Sequence, residues 1–308
     1  MADYITIDMG TSNTRIKLVS GGKLSDGEKI GMGAGKGIEN KELLRLSVKG
    51  GIDAVIKRNP TAKIERILAS GMITSEGGLL SLDHIKAPCG IKELNAAMHE
   101  VVLDDISDIP FVFIPGVKTV SDSFEELDMM RGEEAELAGL CEGIEPSCLY
   151  VLPGSHSKLI HTDSQGRISA FSTELTGELM AAVSGATILK NSVTLDTVTN
   201  EKYLDMGYTY AKEKGINAAL FKVRIIDKLL DCGREAASSF FKGVVFASEI
   251  DNIISAKEKK VIIGGKRELR EAMVYLLKKY SDKEIISADD EKTANATALG
   301  AVRIYEWK

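Results

Sequence analysis

Short runs of β-branched and aromatic residues alternate with longer runs whose apolar residues recur every three or four positions, which predicts an α/β protein. Residues 5–8 (Ile-Thr-Ile-Asp) and 16–19 (Ile-Lys-Leu-Val) read as strands on either side of a polar loop, a hairpin, and Gly21-Gly22 marks the next turn. Residues 66–69 and 111–114 are further short apolar strands, ending in Ser70-Gly71 and Pro115-Gly116. Residues 131–141 predict a helix with acidic residues in its first turn, where the helix dipole favours them.

A second series starts at Leu149. Residues 150–152 predict a strand, 153–157 a loop, 158–161 a second strand, and Gly166 turns the chain into a third at 168–172. Ile225, Ile226, Leu229 and Leu230 form the apolar stripe of one later helix. Leu269, Ala272, Met273, Leu276, Leu277 and Tyr280 share a face of another. Between them, Val261-Ile262-Ile263 is a buried-type strand ending in Gly264-Gly265, and a last helix is predicted over 293–305. Residues 4–18 and 150–160 echo each other as strand, glycine–hydroxyl loop, strand. The echo predicts two half-similar domains, 1–140 and 141–292.

The length of 308 residues suits two domains of about 150 each. A formal charge of −6, with Lys and Arg scattered among Asp and Glu, argues against a nucleic-acid partner. No apolar run approaches the roughly 18 residues of a membrane span. The chain passes straight into the strand at residues 4–7, so neither a membrane partner nor a secretory signal is expected. Cys89, Cys141, Cys148 and Cys232 form no C-x-x-C pair, which fits reduced thiols in a cytoplasmic protein. The four histidines make no metal set, and the sequence leaves room for a homodimer.

Three loops carry candidate chemistry. In the first, Gly10 lets backbone N–H groups approach an anion, Thr11, Ser12 and Asn13 add donors, and Arg15 adds a fixed positive charge. Asp8, at the strand end, is placed to hold Mg²⁺ through water. The second loop repeats this chemistry with Gly154, Ser155, His156, Ser157 and Lys158. In the third, a buried strand ends in Gly264-Gly265-Lys266 and opens a helix, a geometry that lets a flat base lie against the backbone. Neither phosphate loop is a Walker A sequence, and G-x-G-x-x-G is absent.

In this order the loops resemble those of the sugar kinase, heat-shock ATPase and actin superfamily. The segments Ile7–Asn13 with Arg15, Gly71-Met72, Ile114-Pro115-Gly116, Met130-Arg131-Gly132-Glu133-Glu134, Tyr150–Lys158, Thr176-Gly177-Glu178-Leu179, Leu220–Arg224, Gly243–Ile250 and Gly264-Gly265 resemble the 2-dehydro-3-deoxygalactonokinase family. Met9 stands where that family has Trp, and Thr74-Ser75 where it has Gly-Ser. The resemblance implies two duplicated ribonuclease H-like (actin-like ATPase) domains with a cleft between them. The helix at 293–308 would return to the first domain. ATP and Mg²⁺ would be used to phosphorylate the 6-hydroxyl of 2-dehydro-3-deoxy-D-galactonate. Alternatives are a kinase of another sugar or amino sugar, or an actin- or chaperone-like switch.

The resemblance also implies a substrate pocket near Met72 and Ser75. The superfamily's general base, an Asp after a strand and near a helix start, falls on Asp128, with Asp122, Glu133 and Glu134 as rivals; Asp128 would otherwise cap the helix. Arg131 matches a substrate carboxylate bidentately, or else pairs with Glu133 or Glu134. Glu134, Thr176 and Glu178 complete the substrate candidates, unless Thr176 only caps its helix.

Overall fold

Alternating apolar residues drive the first hairpin. β1 (Asp3–Met9) and β2 (Thr14–Ser20) pair antiparallel, with Asp3 opposite Ser20 and Met9 opposite Thr14. In this computed structural model, which describes residues 2–307, β3 (Lys23–Ile30) extends the hairpin. Helices α1 (Ala34–Glu39) and α2 (Lys41–Arg58) follow. Asn40 caps α2, its side chain accepting from the Leu43 N–H at 2.9 Å. β4 (Ile64–Gly71) then runs parallel to β1.

Next come β5 (Ile85–Lys86), α3 (Ile91–Ala96), β6 (His99–Leu103), β7 (Ser107–Phe113), β8 (Val117–Lys118), β9 (Met129–Met130) and α4 (Glu133–Leu140). The main sheet has the order β3-β2-β1-β4-β7-β6, and β5-β8-β9 form a small second sheet. Ile5, Ile7, Ile16 and Leu18 pack against Leu44, Val48, Ile52 and Val55 of α2.

The echo becomes a repeated topology. β10 (Cys148–Leu152) and β11 (Ser157–Thr162) form a hairpin extended by β12 (Ile168–Glu174). Helices α5 (Thr176–Ala186), α6 (Glu201–Lys214), α7 (Ile216–Lys228) and α8 (Gly233–Ser255) precede β13 (Lys260–Ile263), α9 (Arg267–Tyr280), β14 (Glu284–Ser287) and α10 (Asp290–Tyr305). The sheet order β12-β11-β10-β13-β14 reproduces β3-β2-β1-β4-β7, with β13 and β14 parallel to β10. Leu149, Val151, Val261 and Ile263 pack with Phe240, Phe241 and Val244 of α8.

The chain divides into two compact units. One comprises Met1–Pro146, Thr162–Phe171 and Glu291–Lys308; the other comprises Ser147–His161 and Ser172–Asp290. Each contains a helix crossing that only glycine allows. A Cβ on Gly139 of α4 would stand 1.8 Å from the Ala296 carbonyl of α10, and one on Gly300 would stand 1.8 Å from that of Ala135. In the other unit, Gly243 of α8 and Gly207 of α6 abut the Leu204 and Phe240 carbonyls, at 2.0 and 2.1 Å from such a Cβ.

Several expectations need correction. The helix expected over 131–141 starts at Glu133, because Gly132 adopts φ +113°. Leu229 and Leu230 do not continue the α7 stripe: they are 75% and 58% exposed. Their N–H groups both bond the Ile225 carbonyl as the helix terminates. The last helix begins earlier, at Asp290. Sequence reading missed β3, an edge strand of mostly polar residues, and β6, a short edge strand; their positions are set by pairing with β2 and β7. Among the described residues no helix is long and apolar enough to cross a membrane.

Candidate active site

The first loop sits at the carboxyl end of the parallel strands, where open α/β sheets bind ligands. The Gly10 N–H bonds the Asn13 carbonyl at 2.9 Å, which closes a tight turn and leaves Thr11 and Ser12 exposed. Gly33 supports the turn from behind: a Cβ there would lie 2.5 Å from the Gly10 carbonyl. Asp8 lies opposite Ser70 in the β1–β4 register and accepts from Arg15 at 3.0 Å. Burial raises the Asp8 carboxyl above its usual range, while Arg15 pulls it back. No group of three His, Cys, Asp or Glu side chains among the described residues could cage a metal. One hard carboxylate oxygen beside a phosphate-sized loop suits Mg²⁺, which keeps its waters and takes few protein ligands.

Gly71, at φ +81°, brings the next strand against this loop: a Cβ would stand 2.6 Å from the Met9 carbonyl and 3.3 Å from Asp8 Oδ1. Gly132 in turn lies against Gly71, with the Gly71 Cα 3.1 Å from where a Cβ would be. Met72 and Ser75 follow in a short 3₁₀ turn, where Ser75 Oγ donates to the Met72 carbonyl. Arg131 reaches into this turn. Its Nη1 donates to the Thr74 carbonyl and Oγ1, both at 2.6 Å. Its Nη2 donates to the Leu82 carbonyl at 3.0 Å and meets His84 Nδ1 at 3.2 Å. All four partners are uncharged, because burial first, then Arg131 and Lys118, pushes the His84 pKa down to about 4.

The alternative in which Arg131 forms an ion pair with Glu133 or Glu134 is not realised, although the Glu134 charge still acts on it. Glu133 accepts from the Arg131 backbone N–H instead, and both oxygens of the fully buried Glu134 accept from the Gly132 N–H at 2.8 and 2.9 Å. Burial, with a contribution from Glu133, pushes the Glu134 pKa up to about 8. Asp128 does not cap α4: it precedes β9, its carboxylate accepts from the Met129 N–H, and its backbone pairs with Thr119. Asp122 lies in the same stretch, just before the 3₁₀ turn Phe124–Glu126.

In the other unit the second loop and the Gly264–Lys266 turn meet. A Cβ on Gly265, at φ +73°, would lie 2.3 Å from the Pro153 carbonyl, and the Gly264 N–H bonds that of Val151. The α5 N-terminus supports the second loop: the Gly177 and Glu178 N–H groups donate to the Gly154 and Ser155 carbonyls, both at 3.1 Å. His156 Nε2 lies 3.1 Å from Glu178 Oε1. Ser157 and Lys158 already belong to β11, both buried, and Lys158 Nζ bonds Thr173 Oγ1 at 2.5 Å. Lys266 is the exposed residue before α9, while Arg270 ties the Gly265 carbonyl at 2.7 Å. Thr176 does not cap α5: it opens the helix and donates to Glu249 Oε2 at 2.6 Å. Sequence reading did not include His84, and it included Glu249 only within the Gly243–Ile250 resemblance, with no role assigned. For Glu249 the available signal was an acid inside an otherwise apolar helical run; for His84 there was none.

The overall fold is similar to that of a solved 2-dehydro-3-deoxygalactonokinase-type protein from Sinorhizobium meliloti (TM-score 0.78, 21% identity, covering 99% of this chain and 100% of that one). It is also similar to the activator of the 2-hydroxyisocaproyl-CoA dehydratase from Clostridium difficile, solved with ADPNP (TM-score 0.51, 14% identity, covering 98% and 93%). Fold and loops together define an α/β protein with two sheets of repeated topology, each ending in a glycine–hydroxyl loop. Residues 8–304 match the family described as 2-keto-3-deoxy-galactonokinase, and the chain belongs to that family. The 2-dehydro-3-deoxygalactonokinase of Escherichia coli (strain K12) is 27% identical over 254 residues, 81% of this chain and 80% of that protein. The chain is therefore a sugar-acid kinase, a phosphotransferase with an alcohol acceptor and ATP as donor.

Proposed function

We propose that the protein transfers the γ-phosphoryl group of ATP to the 6-hydroxyl of 2-dehydro-3-deoxy-D-galactonate, using Mg²⁺. The observation that carries the preference for an acid is the Arg131 guanidinium. It is half-buried and fixed by four uncharged acceptors, and among the described residues no carboxylate hydrogen-bonds it, with Glu134 and Asp83 acting on it only through their charge. A cation held this way offers its charge and its one remaining donor, Nε–H, to an anion, and the substrate carboxylate supplies one.

Phosphoryl transfer is mainly a matter of positioning and charge stabilisation. In this reading Gly10–Asn13 with Arg15 form one phosphate-binding loop, and Gly154–Lys158 form a second. Gly264–Lys266 receive the adenosine. Mg²⁺, when bound, neutralises charge on the β- and γ-phosphates, and Asp8 is the carboxylate that holds it. Asp128 takes the proton of the acceptor hydroxyl, with Asp122 and Glu133 as rival acids; Glu134, fully buried and held protonated, is disfavoured for the role. Met72 and Ser75 line the sugar site and Glu134 shapes it through Gly132; Glu178 is a further candidate for the sugar hydroxyls, and Thr176, whose hydroxyl is taken up by Glu249, serves only by opening α5. The four cysteines, none of them in a disulfide, support a reducing compartment, the cytoplasm. A homodimer is part of the proposal.

A coupled kinase assay tests it, with 2-dehydro-3-deoxygalactonate run against its C-4 epimer and plain hexoses. The first acid should be preferred. Arg131→Lys, which replaces a fixed planar fork with a mobile ammonium, should raise KM for the acid about tenfold or more and leave KM for ATP nearly unchanged. Equal turnover of neutral hexoses, or equal effects of the variant on both KM values, would overturn the assignment.

A further inference from the structure

Helix α8 carries one buried acid, and the roles above leave it unused. Glu249 is 1% exposed, in the middle of a helix whose surrounding residues Val244, Val245, Phe246 and Ile250 are core. An ionisable side chain is seldom retained at such a position without a task, since burying it costs several kcal/mol unless it is bonded. Its Oε2 accepts the Thr176 hydroxyl at 2.6 Å, and the Ser157 hydroxyl also favours its ionised form. Its Oε1 is buried without a hydrogen-bond partner. Burial pushes its pKa up to about 7, and Glu174 adds to the rise.

The two hydroxyls belong to the two ends of one loop assembly. Ser157 closes the second loop, its Oγ accepting from the Gly154 N–H at 3.4 Å. Thr176 begins α5, whose next two N–H groups hold the Gly154 and Ser155 carbonyls. The α5 segment also approaches too closely for any side chain, since a Cβ on Gly177 would stand 2.4 Å from the Gly154 carbonyl. Strand alternation puts Ser157 on the same face as Leu159, towards the helical core, and Lys158 on the other face.

From this geometry we infer that Glu249 is a positioning residue for the second phosphate loop: from inside the core it fixes Ser157 and the start of α5, and so sets the backbone that receives the ATP phosphates. The inference rests on the reading of residues 154–158 as a phosphate loop. Glu249 itself does not touch the nucleotide.

The test is isothermal titration of Mg-ATP into the full-length protein, together with KM values for both substrates. Glu249→Ala should weaken ATP binding about tenfold, the cost of a lost buried hydrogen bond, and change KM for the sugar acid less than about twofold. Glu249→Gln, whose amide oxygen can still accept from Thr176, should recover most of the affinity, and Thr176→Val should match the loss. Thr176→Val added to Glu249→Ala should cost little more, because both remove the same bond. If Glu249→Ala fails to fold, Thr176→Val and Glu249→Gln carry the test. Unchanged ATP affinity in a folded Glu249→Ala or in Thr176→Val overturns the inference, as does an equal loss in the Gln and Ala variants. Failure of the unmodified protein to bind ATP overturns instead the phosphate-loop reading beneath it.

Discussion

Replacing Glu134 by Gln should remove most of one pH dependence of stability, and the structure sets its size. The Glu134 carboxyl is fully buried at the start of α4 and accepts only backbone N–H groups. Burial, with Glu133 adjacent, raises its pKa from 4.5 to about 8 in the folded chain. Between those values the folded protein holds a proton that the unfolded chain has released. The stability this confers is therefore complete below about pH 4.5, falls as pH rises, and is gone above about pH 8. At about 1.4 kcal/mol per pH unit, a rise of this size is worth roughly 5 kcal/mol. Glutamine does not titrate, and its carbonyl can still accept from Gly132. Trp307, the chain's one tryptophan, falls in the same compact unit as Glu134, so its fluorescence follows that unit's unfolding. Urea titrations at pH 5 and pH 8.5 should show the unmodified protein losing about 3–5 kcal/mol more than Glu134→Gln. Parallel losses in the two proteins, within about 0.5 kcal/mol, would refute the argument that burial holds this acid neutral.

Two further outcomes are expected. Gly243→Ala forces a methyl to 2.0 Å from the Leu204 carbonyl and 2.8 Å from the Tyr208 nitrogen, both backbone atoms of α6. It should cost about 3 kcal/mol or more and lower Tm by several degrees, measured by circular dichroism; a Tm within about 1 °C of the parent would mean that the two helices separate freely. Asp128→Asn should lower kcat about 10²–10⁴-fold at saturating substrates if it is the base, and a loss under about fivefold would remove it from that role.

Local chemistry was legible where one short segment carries the whole signal. Ile5, Ile7, Ile16 and Leu18 alternate in two adjacent runs, so a hairpin with one buried face was readable before any pairing was known. The α9 face was readable for the same reason: Ala272, Met273, Leu276 and Leu277 recur at helical spacing, and all are buried. The α7 stripe misled. Periodicity shows that Leu229 and Leu230 would face the core if the helix continued, but not that it stops at Lys228. Strand β3 failed for the opposite reason, because Lys23, Ser25, Asp26 and Gly27 carry no apolar signal and take their place through backbone bonds to β2.

The candidate site divides along the same line. Sequence alone determined the two glycine–hydroxyl loops, the repeat of strand-loop-strand and the family resemblance, because each depends on neighbours in the chain. Only the tertiary structure decided that Arg131 is held by Thr74, Leu82 and His84 rather than by the glutamates beside it, and that Glu249 reaches Thr176 across 73 positions. Burial and long-range hydrogen bonding depend on which surfaces meet when sheets and helices pack. No run of adjacent residues encodes that meeting.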